Sequence, residues 1–136
     1  EDDLQNSPLH TVTMQRLEAG LDASGKVVAW RHRSAFPTIL SLFAPNAKLP
    51  FAIELGMGLV NLPFDIPNIR AETPEAEAHA RIGWFRAVAN IQHAFAIQSF
   101  VTEIAQALGK DPKDYLLELI GPPRKINPTS IGDGWN

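Results

Sequence analysis

Four histidines, His10, His32, His79 and His93, are the first residues of this 136-residue sequence that could ligate a metal or move a proton. None stands three or four positions from another, so no helical turn brings two imidazoles to one side of a metal, and no HExxH pattern occurs. They read as ordinary surface or partly buried residues, and no metal ligand is assigned. Two acidic groups come next: Glu1-Asp2-Asp3, and Glu72 with Glu75 and Glu77. Carboxylate catalysis needs two groups held at a set separation across a cleft, which neighbours in a proline-bearing loop do not supply. Both groups read as solvated loop. The serines lie outside any GxSxG turn, and no Walker or GxGxxG sequence is present.

A stronger constellation is Gly83-Trp84-Phe85-Arg86-Ala87-Val88-Ala89-Asn90, an aromatic pair and an arginine on a small-residue turn that leads into a helix. A helix start offers unpaired N–H groups and the positive end of its dipole, and a guanidinium adds a planar fork of donors. Small side chains let an anion approach the backbone. These are the parts of a phosphate or pterin cradle; they are equally the parts of an aromatic anchor where a helix enters a core.

The elements that must position this turn follow from pattern. Residues 11–36 read as a β-hairpin whose turn is Asp22-Ala23-Ser24-Gly25-Lys26, with Asp opening it and Gly25 supplying a left-handed residue. Val12 and Met14 fall on one parity and Leu17, Ala19 and Leu21 on the other, which predicts a bulge near Gln15 or Arg16. Pro37, Pro45, Pro50 and Pro63 break residues 37–63 into one or two short helices. Ile66 to Glu72 reads as a short strand, kept near an edge or at its start by Pro67. Ile97, Phe100, Val101, Ile104 and Leu108 share one face of a long helix that stops at Gly109, and Asp111-Pro112 opens a second helix ending before Gly121-Pro122-Pro123. Residues 124–136 read as a loop-like tail. This order predicts a single α+β domain over 1–136, a hairpin plus a further short strand in a mainly antiparallel sheet with helices on one face.

Composition narrows the function. Twelve Lys and Arg against fifteen Asp and Glu give a net charge of −3, so no basic field marks a nucleic-acid partner. The absence of cysteine removes disulfides, zinc–thiolate sites and iron–sulfur ligation from this chain. No apolar run approaches the ~18 residues of a membrane span.

Taken in order, Glu1-Asp2-Asp3, the hairpin Arg16 to Trp30, the strand Ile66-Pro67-Asn68-Ile69-Arg70, the turn Trp84-Phe85-Arg86-Ala87-Val88 and the helices Ala94 to Pro112 resemble the large, molybdopterin-binding subunit of the xanthine dehydrogenase and aldehyde oxidase family. Within it the nearest likeness is to the isoquinoline 1-oxidoreductase branch, in its beta chain. The resemblance implies a molybdenum hydroxylase, which inserts water-derived oxygen into an N-heterocycle or aldehyde and passes electrons to iron–sulfur clusters on a separate small subunit. It implies a molybdenum–molybdopterin cofactor, in its cytosine dinucleotide form, and a soluble protein of the bacterial cytoplasm or periplasm. By the same resemblance Phe85 and Arg86 lie against the cofactor, and Val88 stands in the substrate pocket where xanthine-oxidising members carry an aromatic, so a purine substrate is not supported. Family glycines after the arginine are Ala87 and Ala89 here, which alters the approach to the backbone. The family's catalytic glutamate has no counterpart, so no catalytic residue is assigned. The chain is therefore expected to be an internal segment of a longer subunit, inactive and without cofactor by itself, partnered by the rest of that subunit. The rival expectation is a non-catalytic α+β domain for protein interaction or for the assembly of subunits.

Overall fold

The structure, a computed structural model, describes residues 2–78 and 80–124; His79 and the tail beyond Arg124 lie outside them. A short helix α1 (Asp2–Asn6) precedes the hairpin β1 (Met14–Leu21) and β2 (Val27–Ala35). A 3-10 turn (Ile39–Leu42), a single-turn helix α2 (Ala52–Leu55), strand β3 (Ile69–Glu72) and helices α3 (Asn90–Ala107) and α4 (Pro112–Ile120) follow. The architecture is α+β, as expected. The sheet runs in the order β1-β2-β3, antiparallel across the hairpin and parallel between β2 and β3, so it is mixed.

The hairpin turn forms as its residues dictate. Asp22 Oδ1 accepts from the Ser24 and Lys26 amides at 2.8 and 3.0 Å, and Gly25 takes φ 83°. Those bonds favour the ionised carboxylate, and the hydroxyl of Ser24 above all holds the Asp22 pKa below the usual range. The bulge, however, lies at the other end of the strand from where parity places it. Register shifts between Gly20 and Leu21, opposite Val27 to Ala29. Val27 and Trp30, three positions apart, are both buried, and one extra residue between them puts both on the core face. The conflict of parity in β1 is resolved differently: Leu17 and Ala19 pack against the core, while Val12 and Met14 stay 70% and 78% exposed.

Trp30 is the centre of the core, edge-on to Phe64 at 5.6 Å and to Phe100 at 5.2 Å between ring centroids. Ile97, Val101 and Ile104 of α3, with Tyr115 and Leu119 of α4, close over it. The opposite face of the sheet is ionic: Glu18 pairs with Arg16 and Arg31, and Glu72 with Arg33 and Arg70. Glu72 is thus the last residue of a strand, in a cross-strand ion pair, and not part of a solvated loop; Asp2 and Asp3 likewise open a helix. β3 starts at Ile69, three residues later than predicted, because Pro67 lacks the N–H that a ladder needs.

The junction of α3 and α4 matches its sequence signals. Gly109 has φ 66° and lets Lys110 N–H reach back to Ala105 O at 2.8 Å. Asp111 Oδ1 then accepts from the amides of Lys113 and Asp114 at 2.9 and 3.1 Å, the N-cap of α4.

Candidate functional site

Residues 83–89 form an irregular turn that delivers the chain into α3. Phe85 N–H bonds Gly83 O at 2.8 Å, Val88 N–H bonds Phe85 O at 2.9 Å and Asn90 N–H bonds Ala87 O at 2.9 Å. To make these bonds Ala87 and Val88 adopt φ 67° and φ 47°, the only non-glycine residues with positive φ among those described. A left-handed alanine is uncommon, and a left-handed β-branched valine is an outlier that its surroundings must impose. Ala87 thus takes the backbone that glycine adopts freely, at one of the two positions where the resemblance implies glycine. Ala89 is right-handed, φ −70°, and needs no glycine.

The turn faces outward. Trp84 and Phe85 are about half exposed, and Arg86 is exposed. Among the described residues no hydrogen bond or ion pair reaches the Arg86 guanidinium, in contrast to Arg16, Arg31, Arg33, Arg70, Arg81 and Arg124, each of which has a partner. Beside it α3 begins at Ala89 without a side-chain cap. In the first turn of α3, Gln92 is 5% exposed, yet neither its Oε1 nor its Nε2 has a partner. A buried amide left unpaired costs free energy. A free, exposed guanidinium and an uncapped helix start are donors suited to an anionic, hydrogen-bonding ligand such as a molybdopterin cofactor.

Val88 is half-buried, its side chain between exposed Ala87 and fully buried Ala89 in sequence. Its carbonyl lies 3.0 Å from His10 Nε2. The ring of His10 stands edge-on to Phe85, centroids 5.9 Å apart. From sequence His10 is only a possible metal ligand or base, and its place against this turn, 78 residues away, leaves no local signal. The burial of Gln92 was also missed, because it does not follow from the apolar face of α3. The burial of His93, by contrast, is legible, since it stands one turn before Ile97 on that face.

His93 and His32 serve the interior. His93 Nδ1–H donates to Met57 O at 2.7 Å, and its Nε2 accepts from Ser34 Oγ at 2.9 Å. Ser34 in turn accepts from Gln15 Nε2 at 2.8 Å, and Gln15 Oε1 accepts from His32 Nε2–H. A serine hydroxyl on an imidazole is the geometry of nucleophilic catalysis, but Ser34 and His93 are fully buried and no substrate reaches them. Burial lowers both histidine pKa values, that of His32 to about 4, so the chain of bonds joins neutral groups. Among the described residues no three acidic or histidine side chains gather to hold a metal ion, and no helix is long and apolar enough to cross a membrane.

Comparison with known proteins places the chain in a family. The chain is 29% identical over 126 residues to a nicotinate dehydrogenase polypeptide of Pseudomonas putida, one of that enzyme's subunits, in an alignment covering 88% of this chain and 11% of the relative. It thus spans about a tenth of that protein's length. Residues 1–116, which include the hairpin, the turn and α3, match the molybdopterin cofactor-binding domain family, and the chain belongs to that family.

Proposed function

We propose that this chain forms one wall of the cofactor site in the large subunit of a molybdenum hydroxylase. Phe85 covers the cofactor's side and Arg86, with the first amides of α3, holds its anionic groups. The observation that carries this reading is Arg86, without a partner among the described residues, on a strained turn at an uncapped helix start. When bound, the molybdopterin group supplies the metal at which water-derived oxygen is transferred and electrons are collected; the cytosine dinucleotide form brings further phosphates for these donors. The chain's own contribution is to bind and orient. Val88, aliphatic and next to the turn, borders the substrate space. The relative acts, by its name, on nicotinate, which favours an N-heterocycle over an aldehyde and is compatible with an isoquinoline 1-oxidoreductase-like enzyme. These residues hold no cysteine to ligate a cluster, so in this reading electrons leave through iron–sulfur clusters held outside them, on the small subunit that the resemblance implies.

The test is Arg86→Ala in the complete gene product. Charge-assisted bonds to a partly desolvated anion contribute about 1.5–3 kcal/mol, so cofactor retention should weaken by roughly one to two factors of ten. Lysine should restore it in part, since a point charge cannot reproduce a planar fork. Normal molybdenum content with normal turnover in the alanine variant would end the assignment.

A further inference from the structure

The cofactor-facing turn is shaped by a segment more than seventy residues earlier in the chain. Residues 5–12 run alongside residues 81–88. Arg81 Nη2 donates to the carbonyls of Gln5 and Ser7 at 3.1 and 3.3 Å, Leu9 N–H donates to Arg81 O at 2.9 Å, and Leu9 and Ile82 form an isolated parallel bridge. At Gly83 the two segments are so close that a Cβ would stand 2.5 Å from Pro8 Cβ. His10 comes next and faces the turn itself. Its Nε2 lies 3.0 Å from Val88 O, its Nδ1 lies 3.0 Å from Thr11 O, and its ring is edge-on to Phe85 at an interplanar angle of 89°.

Both carbonyls can only accept, so the imidazolium serves the two at once and the neutral ring serves one. Val88 is also the residue whose backbone least suits its side chain, with φ 47° at a β-branched position. A left-handed valine persists only where neighbouring contacts over-determine it, and the bond from His10 to its carbonyl is such a contact. We propose that His10 is a positioning residue for the cofactor site: its Nε2–H holds Val88 O, and its ring edge supports Phe85, so that Arg86 between them is presented outward. This rests on the reading of the Phe85-Arg86 turn given above and adds to it the group that sets the turn's shape.

Three substitutions in the complete gene product separate the bond to Val88 from its surroundings. A glutamine amide nitrogen sits about where Nε2 does, an asparagine nitrogen about where Nδ1 does, and phenylalanine keeps the ring without donors. Hydrogen exchange of the peptide spanning 84–91 is measured with molybdenum per folded subunit, and exchange in α3 beyond Val101 reports that the fold is intact. His10→Asn and His10→Phe should raise exchange over 84–91 by about tenfold, the size of one lost bond, and lower molybdenum content severalfold; His10→Gln should restore both. If Asn fails to fold, Phe and Gln suffice for the comparison. Exchange within twofold of wild type in Phe overturns the proposal, as does faster exchange with full molybdenum content. Arg86→Ala, which leaves the clasp untouched, should keep wild-type exchange; full molybdenum there defeats the cofactor reading alone, while the exchange of the His10 variants still decides whether His10 shapes the turn.

Discussion

Ala87→Gly should stabilise this protein, against the usual effect of placing glycine in a folded chain. At φ 67° an alanine Cβ crowds the backbone, at a cost of about 1–2 kcal/mol relative to a right-handed residue. Glycine removes that cost but has more freedom to lose on folding, about 0.5–1 kcal/mol. The difference leaves a net gain of about 0.5–1 kcal/mol, and because Ala87 is exposed no packing is lost in exchange. Urea unfolding followed by fluorescence, with Trp30 buried between Phe64 and Phe100 as the dominant reporter, should then show a midpoint higher by about 0.25–0.5 M, taking a slope near 2 kcal/mol per molar. Val88→Gly is the internal comparison. It relieves at least as much strain at φ 47° but surrenders a half-buried side chain, about 1 kcal/mol of burial, so its midpoint should rise by no more than that of Ala87→Gly. A lower midpoint for Ala87→Gly, with the slope unchanged, would mean that the turn is not left-handed there, and the argument that Ala87 preserves a glycine's geometry would fall with it.

Asp111→Ala removes two bonds to the first amides of α4 and should cost about 1 kcal/mol; an unchanged urea midpoint would place the start of α4 elsewhere. Gly83→Ala sets a Cβ 2.5 Å from Pro8 and should destabilise by about 1–3 kcal/mol, with faster amide exchange at Leu9, whose N–H holds Arg81 O. Stability should fall with acid: His32 is held neutral down to about pH 4 while the unfolded chain takes the proton near 6.5, so the loss, on the order of 3 kcal/mol, accumulates as pH drops between those values and stops below 4. His32→Gln, which cannot titrate, should lessen that slope in urea midpoints taken from pH 7 to 4, the remainder belonging to His93, whose pKa burial also lowers. The 136-residue chain by itself should carry little or no molybdenum by elemental analysis, since one wall gives an anionic cofactor few of the contacts that bury it; one tightly held metal per chain would show that these residues suffice.

What could be read from sequence was governed by locality. The Asp22 turn, the stop at Gly109 and the Asp111 cap each depend on residues within five positions of one another, and each formed as expected. The bulge did not, because parity in β1 was reconciled by exposing Val12 and Met14 and not by bending the strand; hydrophobicity along an edge strand does not say which of two faces will be covered. The parallel pairing of β3 to β2 likewise depends on the path of residues 37–68, which prolines leave undetermined by period. At the site, the helix start and the arginine were legible as residue types. The left-handed backbone at Ala87 and Val88 was hidden because neither residue announces it, and His10 was hidden because its partner is 78 residues away.

These long-range contacts explain how a turn under strain can be placed reproducibly. Gln15 of β1, Ser34 of β2, His93 of α3 and the Met57 carbonyl form one chain of hydrogen bonds. A slip of β1 by one residue would turn Gln15 away, taking one donor from Ser34 Oγ and leaving His32 Nε2–H unpaired in the core, a penalty that favours one register of β1, while the Ser34–His93 bond sets α3 against β2. The start of α3 is thereby fixed against the sheet, and residues 5–12, entering from the other end of the same hairpin, are fixed against it too. The turn spans these two anchored segments with few residues to spare. Between them Ala87 and Val88 take the left-handed path, and the exposed Arg86 beside them has no partner among the described residues.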